Sequence, residues 1–124
     1  MGRSTYDTVS GLEDWPFEGK NVFVLSRTLD ASDHAQVVRS VDEASSMLTA
    51  TGAENVYIDG GRTIQSFLSA GLVDEITVSI APVLLGRGSR LFGDLDGDVL
   101  LTLRGHHSTH DDGLVRVTYD VARR

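Results

Sequence analysis

The sequence predicts one α/β domain whose sheet is parallel in its early part and antiparallel at its end. Short continuous apolar runs in the first half are typical of strands covered on both faces, and segments with helical spacing of apolar residues separate them. From residue 75 onward apolar and polar residues alternate, which predicts strands with one buried face. A length of 124 residues allows one small hydrophobic core.

The first two predicted elements are a short helix and a buried strand. Residues 4–10 are predicted to form the helix, and Thr5 is its candidate N-cap. Residues 21–27 contain the apolar run Val-Phe-Val-Leu, which indicates a strand buried on both faces. Residues 28–39 are polar and are predicted to be a loop.

A second helix is predicted directly after that loop. Ser40 and Glu43 have the S-x-x-E spacing of a capping box, and Gly52 is the expected stop at the C-terminal end. The apolar residues between these signals share one stripe of the helix: Val41, Ala44 and Leu48.

A short strand that leads at once into a third helix is predicted next. Residues 55–59 form the strand, Gly60 and Gly61 break it, and the helix starts at about Arg62. Gly71, followed by a leucine, suits a left-handed cap at the end of this helix. Its predicted buried face consists of Ile64, Phe67 and Leu68.

The last part of the chain is predicted to be antiparallel. Residues 75–80 alternate between apolar and polar side chains, and Pro82 permits only a limited continuation of that strand. Residues 86–93 are predicted to be a loop. Residues 99–103 and residues 114–121 are predicted to pair as a closing antiparallel hairpin.

Composition and charge exclude several classes of function. The absence of cysteine excludes disulfides, thiol nucleophiles and cysteine-ligated zinc. A net charge of −7 argues against nucleic acids or anionic membranes as partners, because phosphates would meet a repulsive field. No apolar run approaches the roughly 20 residues needed to span a bilayer. We therefore expect a cytoplasmic protein, in which an anionic small molecule could bind only in a local pocket that gathers positive charge.

The strongest candidate site is the turn between the second predicted strand and its helix. Helix N-termini present free N–H groups and a partial positive charge, which suit a phosphate, and glycines let a ligand approach the backbone. The alternative is a tight turn without a ligand, because the segment lacks the complete G-x-G-x-x-G pattern. The candidate residues are Gly60, Gly61, Arg62, Thr63 and Ile64.

Two further segments have the residue types that bind phosphates. Ser26 and Arg27 end the first predicted strand, where ligands of open α/β sheets bind, and are suited to a ribose 2′-phosphate. The alternative for Ser26 and Arg27 is a solvated strand end, and the alternative for the second segment, at the start of the chain, is a frayed terminus. The other segment precedes the first helix and combines a glycine, a cation and two hydroxyls: Gly2, Arg3, Ser4 and Thr5.

No metal site and no catalytic residue is predicted. His106 and His107 would point to opposite faces of a strand, and they fall with His110 near a predicted hairpin tip, where a solvated loop is the simpler interpretation. The sequence contains no Ser-His-Asp set, nucleophile elbow or H-E-x-x-H motif. The catalytic residues are therefore left unassigned.

Several short segments follow one another in the order that one enzyme superfamily shows. They are residues 1–6 (M-G-R-S-T-Y), 15–17 (W-P-F), 19–20 (G-K), 24–27 (V-L-S-R), 58–61 (I-D-G-G), 72–76 (L-V-D-E-I), 81–88 (A-P-V-L-L-G-R-G) and 91–92 (L-F). On this ordered set the chain resembles the dihydrofolate reductase superfamily. The branch it resembles is the riboflavin-biosynthesis reductase domain, the C-terminal half of the bifunctional deaminase-reductase.

The resemblance implies a dihydrofolate-reductase-like three-layer α/β fold and NADPH as cofactor. It implies that residues 2–5 meet the cofactor phosphates, that Ser26 and Arg27 meet the adenosine 2′-phosphate, and that residues 60–64 hold the pyrophosphate. The implied reaction is hydride transfer to a C=N or C=O group of a small heterocyclic or ribosylaminopyrimidine-like substrate. The alternatives are a nucleotide-binding module without turnover and a structural or interaction domain.

One departure from the family pattern concerns the N-terminus. Family members have a strand, a mobile loop and a helix before the G-R-x-T segment, which here begins at Gly2. We therefore expect residues 1–124 to form one reductase-like domain that is incomplete at its N-terminus. Unpaired strand edges would then make the isolated chain unstable or lead it to pair with a second copy, and a homodimer is also what the resemblance implies.

Overall fold

The computed structural model describes residues 1–123, which form two compact units. The first unit comprises Met1–Ser66, and the second begins at Phe67. No helix within the described residues is long and apolar enough to cross a membrane.

A small parallel sheet is the centre of the first unit. Its helices and strands are α1 (Arg3–Ser10), β1 (Phe23–Leu25), β2 (Gln36–Val38), α2 (Val41–Ala50) and α3 (Gly61–Ser69), whose last turn belongs to the second unit. β1 and β2 pair in parallel, with Val24 opposite Val37. On the opposite edge of β1, Gly2 makes a parallel bridge to Leu25.

The core of this unit lies where the sheet meets α2. Val24 is fully buried at 0% exposure, and Val38 and Ala44 are buried beside the same elements. The prediction of a strand around Val24 is confirmed, because its continuous apolar run fits a strand covered on both faces.

Three local predictions in the first unit were wrong. Residues 28–39 were expected to be a loop throughout, yet Gln36–Val38 form β2, since two adjacent valines suffice for a short parallel pairing with β1. Residues 55–59 were expected to be a strand, but no strand of the described chain pairs with them and Tyr57 is 91% exposed. Thr5 lies inside α1, whose N-cap is Gly2.

The capping box of α2 is confirmed. The Ser40 hydroxyl accepts a hydrogen bond from the Glu43 backbone N–H at 3.0 Å. The Glu43 carboxylate in turn accepts from the Arg39 backbone N–H at 2.6 Å, one residue earlier than the N-cap amide of the standard motif. Gly52, just past the helix, has a φ of 72°, as expected for a glycine stop.

The second unit is built on an antiparallel sheet. Its strands are β3 (Glu75–Ile80), β4 (Leu101–Ser108) and β5 (Val115–Val121), in the order β3-β5-β4. The predicted closing hairpin is confirmed, although β4 begins two residues later and ends five residues later than the predicted 99–103. Gly71 has a φ of 71°, and the following amide of Leu72 bonds to the Phe67 carbonyl, which confirms the predicted left-handed cap.

Replacing Ser40 with Ala tests the cap of α2. The variant leaves the Glu43 amide without its side-chain acceptor, so we expect the free energy of unfolding to fall by about 1 kcal/mol. Ser46→Ala is the matched control, because Ser46 is exposed within the same helix and alanine favours helices there. Equal losses in the two variants in urea denaturation would contradict the capping role.

The turn between β4 and β5 contains a second polar network. The Arg116 guanidinium, which bonds to the Asp112 carboxylate at 2.7 Å, together with the Leu114 amide at 2.9 Å, lowers the pKa of Asp112 to about 2. Because this pKa lies below the unfolded value of about 3.9, the network stabilises the fold above pH 4 and loses that contribution as the pH falls toward 2.

Asp112→Asn should therefore change stability in a pH-dependent manner. We expect the wild type to be more stable than the variant near neutral pH, and the difference to shrink between about pH 4 and about pH 2. Urea denaturation across this range measures it. Asp111→Asn is the control, since Asp111 makes no hydrogen bond or ion pair among the described residues. A stability difference between the wild type and Asp112→Asn that did not change with pH would refute the lowered pKa of Asp112.

Candidate functional site

The starts of two helices lie against each other in the first unit. A Cβ added to Gly2, the N-cap of α1, would lie 2.5 Å from the Thr63 hydroxyl in the first turn of α3. A Cβ added to Gly60, just before α3, would lie 2.8 Å from the Thr5 hydroxyl in the first turn of α1. The two glycines thus allow reciprocal close contact, and a larger residue at either place would require the facing threonine to shift.

This contact brings the first backbone N–H groups of α1 and α3 into one region. The first helical hydrogen bond of α1 runs from Tyr6 to Gly2, and that of α3 runs from Ile64 to Gly60. The amides of residues 3–5 and 61–63 come before these first donors in the chain, so they have no acceptor within their own helix. No side chain caps α1. The partial positive charges of the two helix dipoles therefore add at one place, which favours an anionic group.

Gly2 and Gly60 have a packing role that the sequence did not predict. The glycines were expected to let a ligand approach the backbone, which stays a prediction, and the structure shows that these two let α1 and α3 approach each other. The hydroxyl-bearing side chain of Thr63 is only 6% exposed because it packs against Gly2. Gly61 and Ile64 are half-buried, so the open polar groups of this segment are its amides and the exposed Arg62.

Ser26 closes a tight turn at the end of β1. It is 7% exposed, and its hydroxyl accepts hydrogen bonds from the amides of Thr28 at 3.2 Å and Leu29 at 3.1 Å. Its hydroxyl oxygen is thus used as an acceptor within the protein, and the predicted contact of Ser26 with a phosphate stays a prediction. Arg27 lies at the exposed side of this turn and makes no hydrogen bond or ion pair among residues 1–123.

Arg3 connects the helix starts to the Ser26 turn. Its guanidinium bonds to Asp7 at 2.9 Å and to the Thr28 hydroxyl at 3.3 Å. The three segments predicted from the sequence therefore adjoin: residues 2–5 contact residues 60–63 through the glycines and contact the turn through Arg3. Ser4 is exposed in the first turn of α1.

The charge of this region contrasts with that of the whole chain. The chain carries a net charge of −7. Yet Arg27 and Arg62 have no carboxylate partner among the described residues, while Arg3 is paired with Asp7 alone. Cations without an internal counter-ion, in the same unit as two helix starts, favour an anionic ligand, so this region is the candidate site.

Sequence reasoning missed two features around this site. Arg39 donates from Nη1 to the carbonyls of Ser26, at 2.9 Å, and Leu29, at 2.6 Å. The only sequence signal was its position before the capping box, which does not reveal carbonyl partners ten or more residues away.

The second missed feature is an aromatic cluster. Trp15 stacks on His34 with ring centroids 4.8 Å apart and meets Phe17 and Tyr6 edge-on. The Tyr6 hydroxyl donates to the Ser32 hydroxyl at 2.6 Å, so the cluster ties α1 to the loop between β1 and β2.

The histidines of the second unit are not grouped for a metal. His106 and His107 lie inside β4, opposite Val117 and Arg116, and not at the hairpin tip where they were expected. Adjacent strand residues point to opposite faces. Within residues 1–123 no group of three histidine, aspartate or glutamate side chains is close enough to hold a metal ion.

Gly60→Ala tests the contact between the helix starts. The new methyl combines a strained backbone at φ 98° with a clash against the Thr5 hydroxyl. Gly52→Ala is the matched control, because its φ of 72° is strained but nothing lies within 4 Å of the added Cβ. We expect the control to lose about 1–2 kcal/mol of unfolding free energy and Gly60→Ala to lose at least about 1 kcal/mol more.

Thermal or urea denaturation measures both variants. In a Thr5→Ala background the extra loss at position 60 should shrink, because the clashing hydroxyl is absent. An identical loss for the two glycine variants would show that the helix starts are not in tight contact.

Comparison with known proteins identifies related sequences and structures. The family described as the RibD C-terminal domain matches residues 12–115. Protein YwjB of Bacillus subtilis strain 168, itself uncharacterized, is 30% identical over 111 residues, or 85% of this chain and 63% of YwjB. The 2,5-diamino-6-ribosylamino-4(3H)-pyrimidinone 5′-phosphate reductase of Methanothermobacter thermautotrophicus is 34% identical over 79 residues, or 57% of this chain and 37% of the reductase.

A crystal structure confirms the predicted fold. A protein from Shewanella sp. PV-4, assigned provisionally to riboflavin biosynthesis, superposes with a TM-score of 0.88 at 37% identity. The match covers 99% of this chain and 72% of the Shewanella chain. Together with the parallel and antiparallel sheets, it confirms the dihydrofolate-reductase-like α/β class. The chain spans less than two thirds of the length of the curated relatives described above.

Proposed function

This chain belongs to the RibD C-terminal domain family, and from that premise we propose that it is the cofactor-binding part of an NADPH-dependent reductase. The proposed reaction is hydride transfer to a small heterocyclic substrate of the ribosylaminopyrimidine type. The observation that supports it most is the close contact between the starts of α1 and α3, in a unit where Arg27 and Arg62 have no carboxylate partner among the described residues. That arrangement suits the phosphates of a dinucleotide.

The donor set fits the three phosphate groups of NADPH. The amides of residues 3–5 and 61–63 would hold the pyrophosphate, with Arg62 as an exposed cation at the same helix start. Arg27, on the turn closed by Ser26, would bind the adenosine 2′-phosphate. When bound, the nicotinamide supplies the hydride, and the protein supplies binding and orientation.

The substrate class is proposed from a relative. The Methanothermobacter protein is by its description a reductase of a ribosylaminopyrimidinone 5′-phosphate, and its aligned part covers 57% of this chain. No acid or base among these residues is assigned a role in proton transfer. A homodimer and a cytoplasmic location remain predictions.

One pair of measurements distinguishes this proposal from its two alternatives, a nucleotide-binding module without turnover and a structural or interaction domain. NADPH is titrated into the protein by fluorescence with NADH as the control, and NADPH consumption is then followed with a ribosylaminopyrimidine phosphate. The proposal expects tight NADPH binding, weaker NADH binding and turnover. Binding without turnover favours the nucleotide-binding module, and no binding of either dinucleotide favours a structural domain and overturns the proposal.

Replacing Arg27 with Ala tests the 2′-phosphate assignment. We expect NADPH affinity to fall about tenfold or more, because one charge-assisted contact is lost, and NADH affinity to change less than about twofold, because NADH has no 2′-phosphate. Arg90→Ala, which removes an exposed arginine of the second unit, is the control and should change neither affinity. Equal weakening of NADPH and NADH by Arg27→Ala would place the 2′-phosphate elsewhere.

A further inference from the structure

We propose that Arg39 is a positioning residue that sets the preference for NADPH over NADH by holding the Ser26–Leu29 turn, without itself contacting the cofactor. This inference rests on the proposed function, because it assigns the turn to the 2′-phosphate. It adds a residue that belongs to none of the three predicted phosphate-binding segments and acts through the backbone on both sides of Arg27.

The turn has anchors at both of its ends. At Ser26, the amide donates to the Val38 carbonyl at 3.0 Å and the carbonyl accepts from Arg39 at 2.9 Å. At Leu29, the amide donates to the Ser26 hydroxyl at 3.1 Å and the carbonyl accepts from Arg39 at 2.6 Å. Arg39 thus bonds the first and last carbonyls of the turn and fixes the distance between them.

Arg27 depends on these anchors for its placement. It lies between Ser26 and Thr28, and its own side chain makes no hydrogen bond or ion pair within the described part of the chain. Only the backbone of the turn therefore determines the position from which the Arg27 side chain extends. An exposed arginine on a loose turn would sample many positions and pay more conformational entropy on binding a phosphate.

Arg39 is itself held in place. Its backbone amide donates to the Glu43 carboxylate at 2.6 Å, and it directly follows β2, whose Val38 is buried at 1% exposure. Glu43 of the capping box therefore holds Arg39 in place, and Arg39 in turn holds the turn. Its guanidinium faces carbonyl oxygens and no carboxylate among residues 1–123, so the positive charge beside the turn is not neutralised within the protein.

Both hydrogen bonds to the turn carbonyls are donated by one nitrogen, Arg39 Nη1, so two substitutions distinguish its role clearly. A lysine ammonium has three donors on one nitrogen and can replace Nη1 between two carbonyls, whereas methionine keeps an unbranched but shorter side chain and donates nothing. A residue that bound a phosphate by the planar guanidinium fork would not be replaced by lysine in this manner.

The test measures NADPH and NADH dissociation constants for the wild type, Arg39→Lys, Arg39→Met and the double variant Arg27→Ala/Arg39→Met. We expect Arg39→Met to weaken NADPH about tenfold and NADH less than about twofold, and Arg39→Lys to stay within about threefold of the wild type for NADPH. Because Arg39 acts through Arg27, Arg39→Met should add less than about twofold in the Arg27→Ala background. Arg90→Met is the control for loss of one positive charge and should be neutral.

Each contrary result has a distinct meaning. If Arg39→Met lost the same affinity for NADPH and for NADH, Arg39 would only support folding. If its effect added fully to that of Arg27→Ala, Arg39 would contribute to binding independently of Arg27. Either result overturns the inference and leaves the proposed function intact. Arg39→Lys as weak as Arg39→Met would also overturn it. A wild type that binds neither dinucleotide would instead overturn the proposed function, and with it the 2′-phosphate role of the turn.

Discussion

The close contact between the starts of α1 and α3 is the constraint on which the candidate site depends. Two glycines meet two threonine hydroxyls reciprocally, and added methyls at Gly2 and Gly60 would lie 2.5 and 2.8 Å from them. Because the first amides of a helix have no partner within it, bringing two starts together concentrates free donors. Under the proposed function, the phosphates of a dinucleotide accept hydrogen bonds from these donors.

The electrostatics of the proposed site differ from those of the acidic chain as a whole. The net charge of −7 disfavours polyanions such as nucleic acids at a distance, whereas arginines without a carboxylate partner would favour a compact anion locally. The Asp7 carboxylate restrains Arg3, so the cations differ in role: Arg3 connects elements, and Arg27 and Arg62 remain available to a ligand.

Features with local causes were predicted from the sequence, and features with distant causes were not. The capping box at Ser40 and the left-handed cap at Gly71 involve residues within five positions, so pattern and structure agree. β2 was missed because its three residues form a strand only when β1 lies beside them. Conversely, residues 55–59 have an apolar core but no partner strand within the described chain, and apolar content alone does not form a ladder.

The same distinction explains why a candidate site could be predicted from the sequence but its internal support could not. Glycines, hydroxyls and arginines in three segments indicate phosphate chemistry by residue type, whereas the reason for each glycine and the use of the Ser26 hydroxyl depend on tertiary contacts. Under the proposed function, the buried serine organises the turn and the neighbouring exposed arginine contacts the anion. Selectivity in such a site comes from how firmly the backbone presents one cation, because a single flexible charge in water distinguishes poorly between similar anions.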